Sequence, residues 1–351
     1  MTLGPLMIDL KGVAVAPEER ELLRHPLVGG VVLLARNYVD PEQLTALVAA
    51  LHALRTPRLI VGVDQEGGRV QSLVQGFSRL PPMRRIGQEY DLNPRAGLRM
   101  ARNLGWLMAA ELRAHGVDLS FAPCVDLDYG VSETIGDRSF HRRADVVGQL
   151  AVAYVHGMRD AGMAAMAKHF PGQGAVVADP QQTLPVDRRD LADLTDDMTP
   201  YRALIANGLP AAKVAHVLFP AVDSVPASLS GHWIRDVLRG EMRFQGVVFA
   251  DDLSMGGAAA AQGDVVSRAR QALSAGCDML PVCNDRPGVE AVLRRLDLDP
   301  EPASQMRLVR LHGRDGKTRE QLKTTPEWTI SQEMLARCAA APALNLEAGQ
   351  T

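Results

Sequence analysis

Residues 162–174 read Gly-Met-Ala-Ala-Met-Ala-Lys-His-Phe-Pro-Gly-Gln-Gly. The apolar first half, residues 162–167, predicts a buried strand, and Lys168 and His169 follow it directly. Asp179 comes eleven residues after Lys168, beyond a turn that contains glycine. In a (β/α)8 barrel the loops after the strands carry the chemistry, so polar side chains at a strand end indicate a site. This stretch therefore predicts a polar pocket for a polar small molecule.

The same alternation of apolar and helical segments extends along the chain. Continuous apolar strands separated by helices indicate parallel pairing with both faces of the sheet covered. Eight such units favour an α/β fold of the single (β/α)8 TIM-barrel type over a doubly wound sheet. The predicted strands are residues 6–10, 30–34, 59–64, 117–126, 163–169, 211–216, 246–251 and 277–282, and predicted helices include residues 41–54, 95–115, 146–161 and 265–275.

Composition limits the class of protein. A chain of 351 residues with 46% hydrophobic content can bury a large core, and we expect one catalytic domain over residues 1–340 with a flexible C-terminal tail over residues 341–351. The net charge of −3, without long clusters of Lys or Arg, argues against nucleic acid or a membrane surface as a partner.

Cysteine usage and the N-terminus indicate the compartment. The four cysteines show no paired spacing, which predicts that their thiols are reduced. These cysteines are Cys124, Cys277, Cys283 and Cys338. The N-terminus lacks the basic start and continuous apolar segment of a signal peptide, and no segment reaches 18 apolar residues. We expect a soluble, cytoplasmic protein.

Polar side chains recur where the predicted strands end. Helix capping is one explanation, because Asp is a favoured N-cap residue, and for Asp128 and Asp252 it is as good as a functional one. Asp64 and Asp251 directly follow apolar segments and are better placed to enter the mouth of the barrel. One aspartate there could attack a cationic centre while others hold hydroxyls, as in a glycosidase. The strand-end residues are Asp9, Asp64, Asp126, Asp128, Lys168, His169, His216, Asp251 and Asp252.

Other chemistries lack their sequence signatures. The first strand carries no histidine pair for a metal-dependent hydrolase, and we predict no metal site. A serine elbow, a phosphate-binding loop and a dinucleotide fingerprint are also missing from the sequence.

Five motifs occur in a characteristic order: Val-Asp-Gln-Glu-Gly-Gly-Arg-Val-Gln at residues 63–71, Phe-Ala-Pro at 121–123, Ile-Gly-Asp-Arg-Ser-Phe-His at 135–141, residues 168–174, and Asp-Asp-Leu-Ser-Met at 251–255. With them the chain resembles family 3 glycoside hydrolases, and more narrowly their single-domain bacterial β-N-acetylglucosaminidases (β-hexosaminidases) of peptidoglycan recycling. The resemblance implies a TIM barrel without metal or cofactor. It also implies a cytoplasmic, monomeric enzyme that removes N-acetylglucosamine from muropeptides with retention of configuration.

The resemblance also assigns roles to residues. Asp251 matches the nucleophile that forms a glycosyl-enzyme ester. The residues matched to groups that hold the sugar's hydroxyls are Asp64, Arg138, Lys168 and His169, and charge-assisted hydrogen bonds suit that purpose. Asp179 matches an aspartate that orients the general acid/base, a histidine two residues later.

The chain departs from the family pattern at that histidine. Gln181 occupies its position, and Gln173 replaces an earlier histidine. An amide does not transfer protons near neutral pH, and loss of a general acid/base typically costs about 10² to 10⁴ in rate. Three smaller departures are Ser72 at a sugar-binding Arg position, Lys213 where the sixth strand should be apolar, and Pro281 within the eighth strand.

Two functional hypotheses follow. One is a retaining exo-β-N-acetylglucosaminidase that is slowed, or that uses His141, His216 or a bound anion in place of the missing imidazole. The other is a barrel that binds amino sugars or muropeptides without turning them over.

Overall fold

The computed structural model describes residues 2–261, 263–298, 301–314 and 316–340. The predicted tail, residues 341–351, lies outside the described residues. None of the helices in the described part of the chain is long and apolar enough to cross a membrane.

Eight parallel strands form the central barrel. The hydrogen-bonded order is β10-β1-β2-β3-β6-β7-β8-β9, and a bridge between Phe249 and Met279 brings the two ends of this sheet together. A short antiparallel pair, β4 and β5, follows β3. The strands are β1 Leu6–Asp9, β2 Val28–Leu33, β3 Ile60–Val63, β4 Gln65–Gly67, β5 Val70–Gln71, β6 Leu119–Ser120, β7 Ala164–Phe170, β8 Ala211–Val214, β9 Val247–Phe249 and β10 Leu280–Val282.

Helices surround the barrel, and several begin at caps that the sequence marks. Asp40, Asn93, Asp264 and Asp285 each accept a hydrogen bond from a backbone N–H of the first helical turn. The helices are α1 Pro17–Arg24, α2 Pro41–His52, α3 Met83–Leu92, α4 Pro94–Ala114, α5 Ala144–Asp160, α6 Thr195–Ala206, a π-helical segment His232–Glu241, α7 Gly256–Ala261, α8 Val265–Ala275, α9 Arg286–Arg295, α10 Pro302–Val309, α11 Arg319–Lys323 and α12 Pro326–Ala340.

The predicted barrel is confirmed, with one strand much shorter than expected. Residues 117–126 were predicted as a strand, but only Leu119 and Ser120 pair regularly. Pro123 has no N–H to donate to a ladder, and beyond it Cys124 forms a single isolated bridge with Lys168. The backbone still follows β7, since Val125 N donates to the carbonyl of Lys168 at 2.8 Å.

Apolar side chains fill the barrel interior and form the floor below its C-terminal mouth. Phe121 and Phe249 meet edge to face with ring centroids 6.3 Å apart. A second, larger apolar cluster lies between the sheet and the helices. The interior cluster includes Met7, Ile60, Leu119, Phe121, Met166, Phe249 and Met279. This core holds the strand ends, and so the polar residues that follow them, in fixed positions.

Candidate active site

A polar cavity of about 550 Å³ opens at the C-terminal ends of the barrel strands. The structure brings all six sequence-predicted site residues to this cavity. Its charged and polar lining consists of Asp64, Thr134, Arg138, Lys168, His169, Gln173, Asp179, Gln181, Lys213, Asp251, Asp252, Ser254, Asn284 and Asp285.

A chain of ion pairs, buried except at Asp64, forms one wall. Lys168, at the end of β7, places its Nζ 2.8 Å from Asp64 Oδ1 and 2.5 Å from Glu66 Oε1. Arg138 donates from Nε and Nη2 to the two carboxylate oxygens of Glu66 at 2.9 and 2.8 Å. Burial alone would raise the pKa of Glu66, but the charges of Lys168 and Arg138 hold it well below its usual range. The pKa of Asp64 is also lowered, against burial, by Lys168.

Glu66 is therefore a member of the site that the sequence prediction omitted. It lies in β4, where its carboxylate contacts both Lys168 and Arg138, and its side chain is 1% exposed. Its place in the motif at residues 63–71, directly after the predicted strand 59–64, was the available signal. Glu66 fixes the orientation of both cations, because a carboxylate can accept the planar guanidinium fork of Arg138 with both oxygens.

His169 is held by a second buried carboxylate. Its Nδ1 donates to Asp126 Oδ2 at 2.8 Å, and its backbone N donates to the same oxygen at 3.2 Å. The backbone N of Gln173 donates to Asp126 Oδ1 at 2.7 Å. Asp126 thus fixes both the imidazole and the turn after β7, which leaves Nε2 of His169 as the nitrogen not used in this contact.

Asp251 follows β9 and is 5% exposed. Its Oδ1 accepts from the backbone N of Asp252 at 3.0 Å and lies 3.3 Å from Nζ of Lys213. Burial would raise the pKa of Asp251, but the charge of Lys213, with smaller effects from His216 and His169, lowers it well below its usual range. Asp251 is thus a buried, ionised carboxylate at the cavity wall.

The loop that carries Asp179 and Gln181 is docked against the first turn of α7. Gly256 N donates to the carbonyl of Gln181 at 3.1 Å, and Gly257 N donates to the carbonyl of Pro180 at 2.9 Å. The carboxylate of Asp179 accepts from the backbone N of Gln181 at 2.9 Å. Asp179 therefore stabilises its own turn, while the side chain of Gln181 is exposed.

A model of the family described as "Glycosyl hydrolase family 3 N terminal domain" matches residues 6–311. The chain belongs to glycosyl hydrolase family 3. The prediction of a glycoside hydrolase of this family is thereby confirmed, and so is its barrel architecture.

Relatives of this family 3 hydrolase cover nearly its whole length. It is 50% identical over 347 residues to a beta-hexosaminidase from Thioalkalivibrio sulfidiphilus, covering 99% of this chain and 100% of the relative. It is 53% identical to a beta-hexosaminidase from Alkalilimnicola ehrlichii, covering 90% of each chain. It is also similar to the crystal structure of NagZ from Neisseria gonorrhoeae in complex with N-trifluoroacetyl-D-glucosamine, with a TM-score of 0.91, 37% identity, and coverage of 97% of this chain and 99% of that one.

Neither histidine suggested as a replacement acid/base is available in this family 3 hydrolase. His216 is fully buried, with Nδ1 hydrogen-bonded to Ser228 Oγ and Nε2 to the carbonyl of Asp252 at 3.0 Å. His141 binds Asp91 through Nε2 at 2.9 Å and accepts a backbone hydrogen bond at Nδ1, outside the cavity lining. Both ring nitrogens of each histidine are engaged, so that part of the sequence hypothesis was wrong.

One buried group in the described residues has the donor set of a metal site. Cys124, Asp126 and His169 place their potential ligand atoms within 4.8 Å of one another. Burial, with the nearby charge of Asp126, raises the pKa of the Cys124 thiol well above its usual range, and the thiol donates to Asp126 Oδ2 at 3.2 Å. A metal would need the thiolate and the lone pairs that these hydrogen bonds use. The group fits a hydrogen-bonded support for His169 better than a metal centre.

Proposed function

We propose that this family 3 hydrolase is a retaining exo-β-N-acetylglucosaminidase that removes terminal β-linked N-acetylglucosamine from peptidoglycan fragments. The observation that carries the proposal is the buried, ionised Asp251 at the wall of a cavity that also presents Lys168, Arg138, Asp64 and His169. The names of its beta-hexosaminidase relatives and the N-trifluoroacetyl-D-glucosamine ligand of the Neisseria protein support an N-acetylated amino sugar as the substrate.

In the proposed reaction, a carboxylate oxygen of Asp251 attacks the anomeric carbon. The bond from that carbon to the leaving oxygen breaks, and a glycosyl-enzyme ester forms. Hydrogen bonds from Lys168, Arg138 and His169, and to Asp64, would hold the sugar's hydroxyls while positive charge develops on the ring. Water then cleaves the ester, so the product keeps the β configuration.

The protein is expected to be slow with ordinary glycosides. Gln181 occupies the position of the family's proton donor, and neither ring nitrogen of His141 or of His216 is free to replace it. Losing this group costs about 10² to 10⁴ in rate when the leaving group needs a proton. A dinitrophenolate needs none, so activated aryl glycosides should react through Asp251 alone.

We further propose a monomeric, cytoplasmic enzyme with one catalytic domain over residues 1–340. It would need no metal or cofactor and would bind neither nucleic acid nor membrane. Free thiols at all four cysteines are consistent with this setting.

A second candidate is an amino-sugar or muropeptide-binding barrel without turnover. Two observations favour it: glutamine at both histidine positions of the turn after β7, and a lysine paired with Asp251. Such a protein would bind the sugar through the ion-paired wall and form no ester.

Intact-mass spectrometry during incubation with a dinitrophenyl β-N-acetylglucosaminide separates the two. We expect a protein–sugar adduct in the natural chain, faster release of sugar in Gln181→His, and neither adduct nor phenol in Asp251→Asn. Gln182→Asn, one residue from the substituted position in the same exposed loop, is the control and should behave as the natural chain. Sugar binding without adduct or phenol in both the natural chain and Gln181→His would support the binding protein instead.

A further inference from the structure

Lys213 is a cation at the nucleophile that the family pattern does not account for. It lies on β8, paired in register with Lys168 of β7 and Phe249 of β9. Its side chain is 12% exposed, with Nζ 3.3 Å from Asp251 Oδ1 and 5.2 Å from the ring centroid of Phe121. The methylene chain thus crosses the apolar floor, and the ammonium reaches the cavity wall.

The other Lys and Arg side chains that line the cavity form ion pairs with other carboxylates. Lys168 binds Asp64 and Glu66, and Arg138 binds Glu66. Within the described part of the chain, Lys213 is the one Lys or Arg that forms an ion pair with Asp251. Its charge therefore acts on the carboxylate that would form and break the bond to the sugar.

We propose that Lys213 promotes the second step of the reaction, in which the glycosyl-enzyme ester is hydrolysed, by stabilising the carboxylate of Asp251 as it leaves. This inference rests on the proposed glycosidase function. In that step the oxygen of a water molecule bonds to the anomeric carbon while the bond to the Asp251 oxygen breaks. The electron pair of that bond returns to Asp251, and the proton of the water passes to solvent. Lys213 keeps its protons and regains its ion pair.

The same pair has the opposite effect on the first step. Ester formation neutralises Asp251 and leaves the ammonium of Lys213 without its partner in a mostly buried position, which disfavours the ester. Lys213 therefore slows formation of the ester and speeds its breakdown. A slower first step and a faster second step suit a site in which Gln181 cannot activate water, because breakdown of the ester is the step that then limits turnover.

The test measures both steps with the dinitrophenyl β-N-acetylglucosaminide. The initial release of phenol reports ester formation, and the steady rate reports its breakdown. In Lys213→Met and Lys213→Gln we expect the steady rate to fall on the order of 100-fold, as for other groups that stabilise a developing charge, while the initial release is at least as fast as in the natural chain. Intact mass should show a larger adduct fraction. Lys213→Arg should keep most of the steady rate.

The pH profile gives a second readout that loss of packing would not produce. The other titratable groups around Asp251 are His216, His169 and Asp252, and they stay in place in these variants, although the charge of Lys213 also acts on His216 and on Asp64. Removing the charge of Lys213 raises the pKa of Asp251, so the acidic limb of kcat/KM should move to higher pH in Lys213→Met and stay in place in Lys213→Arg.

Lys11→Met is the matched control, since Lys11 is a surface residue with a side chain 62% exposed, and it should change neither step. Ester breakdown as fast in both neutral variants as in the natural chain would overturn the role of Lys213 and leave the glycosidase intact. A natural chain that forms no adduct and releases no phenol would overturn the glycosidase itself, and with it this inference.

Discussion

Glu66 binds two cations of the cavity lining, Lys168 and Arg138. Replacing it with Gln leaves Lys168 and Arg138 buried without the carboxylate that they share. Removing one partner of a buried ion pair typically costs about 3–5 kcal/mol, so we expect Glu66→Gln to lower the free energy of unfolding by about that amount at pH 7. Urea unfolding measures it. Glu18→Gln, at an exposed pair 3.9 Å from Lys11, is the control and should change stability by less than about 0.5 kcal/mol.

The pH dependence of this loss has a defined sign. The folded protein holds the pKa of Glu66 below its usual range. Its contribution is therefore complete above the unfolded pKa of about 4.3 and disappears as the pH falls through the lower folded value. The natural chain and Glu66→Gln should differ in stability at pH 7 and converge in acid. A constant difference from pH 7 to acid would contradict the assignment.

The sequence identifies the residues that present charge to the cavity more readily than those that support them. Asp64, Lys168 and Asp251 follow apolar strands, and that position alone indicates a role. Glu66 and Asp126 act through pairs that join residues 72 and 43 positions apart, and such contacts exist only once the barrel closes. The contact of Lys213 with Asp251 depends in the same way on β8 and β9 being neighbours.

The loop over the cavity depends on two glycines at the start of α7. A Cβ at Gly257 would lie 2.7 Å from the carbonyl oxygen of Pro180 and 3.0 Å from that of Thr183. We expect Gly257→Ala to displace this loop, because backbone cannot move aside as a side-chain tip can. Hydrogen–deuterium exchange of the amides of Gln182 and Thr183 should then speed up, and KM for the aryl glycoside should rise severalfold.

Gly12→Ala is the control for that loop, since a Cβ at Gly12 meets no atom within 4 Å. It should leave both exchange and KM unchanged. Unaltered exchange of the loop amides in Gly257→Ala would mean that the loop is not held by α7.

Helix α4 contains a carboxyl group whose ionisation opposes folding. Burial raises the pKa of Glu111 to about 7, although hydrogen bonds from Ser78 act in the other direction. The folded state therefore keeps a proton that the unfolded chain loses above about pH 4.3, and stability falls as the pH rises from there to about 7. A shift of this size corresponds to about 3 kcal/mol.

Glu111→Gln should remove that dependence. Urea unfolding at pH 5 and pH 8 should show a smaller loss of stability with rising pH in Glu111→Gln than in the natural chain. Glu290→Gln, with a side chain 49% exposed, is the control and should keep the natural slope. Equal slopes in Glu111→Gln and the natural chain would show that Glu111 is ionised when buried.

Elements were predictable where one local rule decides them. Helix α8 has the predicted bounds, 265–275, because Asp264 caps its start and Gly276, with φ of 110°, ends it. The prediction of a strand over residues 117–126 was wrong for most of that segment. Its apolar composition reflects burial against β7 rather than regular strand pairing. An apolar pattern indicates that a segment is buried. It indicates a strand only when the backbone N–H groups of the segment can also donate hydrogen bonds to a neighbouring strand.

The two ends of the barrel have different roles: ion pairs at the N-terminal ends of the strands stabilise the fold, and the cavity at their C-terminal ends holds the candidate catalytic residues. Asp278, just before β10, accepts from Arg239 and Arg307 at 2.7 Å each and from Val248 N at 2.8 Å. It thereby ties α10 and the π-helical segment to the base of the barrel. Asp251 lies at the opposite end, where the strands open into the cavity.

Matched substitutions should separate the two ends. Asp278→Asn should lower the free energy of unfolding by about 3–5 kcal/mol, because two cations lose their partner, and leave the turnover of folded protein unchanged. Asp251→Asn should abolish turnover, and because it leaves Lys213 without its ion-pair partner it should lower the free energy of unfolding as well. Unfolding curves and release of dinitrophenol on both variants measure this, and loss of turnover in well-folded Asp278→Asn would contradict the division.

The charged lining of the cavity also has a consequence for how ionic strength acts on binding. In the described residues, five lining carboxylates face three Lys or Arg side chains, so the mouth carries an excess of negative charge: Asp64, Asp179, Asp251, Asp252 and Asp285 against Arg138, Lys168 and Lys213. This negative charge has little effect on the binding of a neutral amino sugar, whereas it repels an acidic cell-wall fragment. Salt at 0.1 M screens such repulsion beyond about 10 Å. Acidic fragments should therefore bind more tightly as salt is added, while the neutral sugar keeps the same affinity.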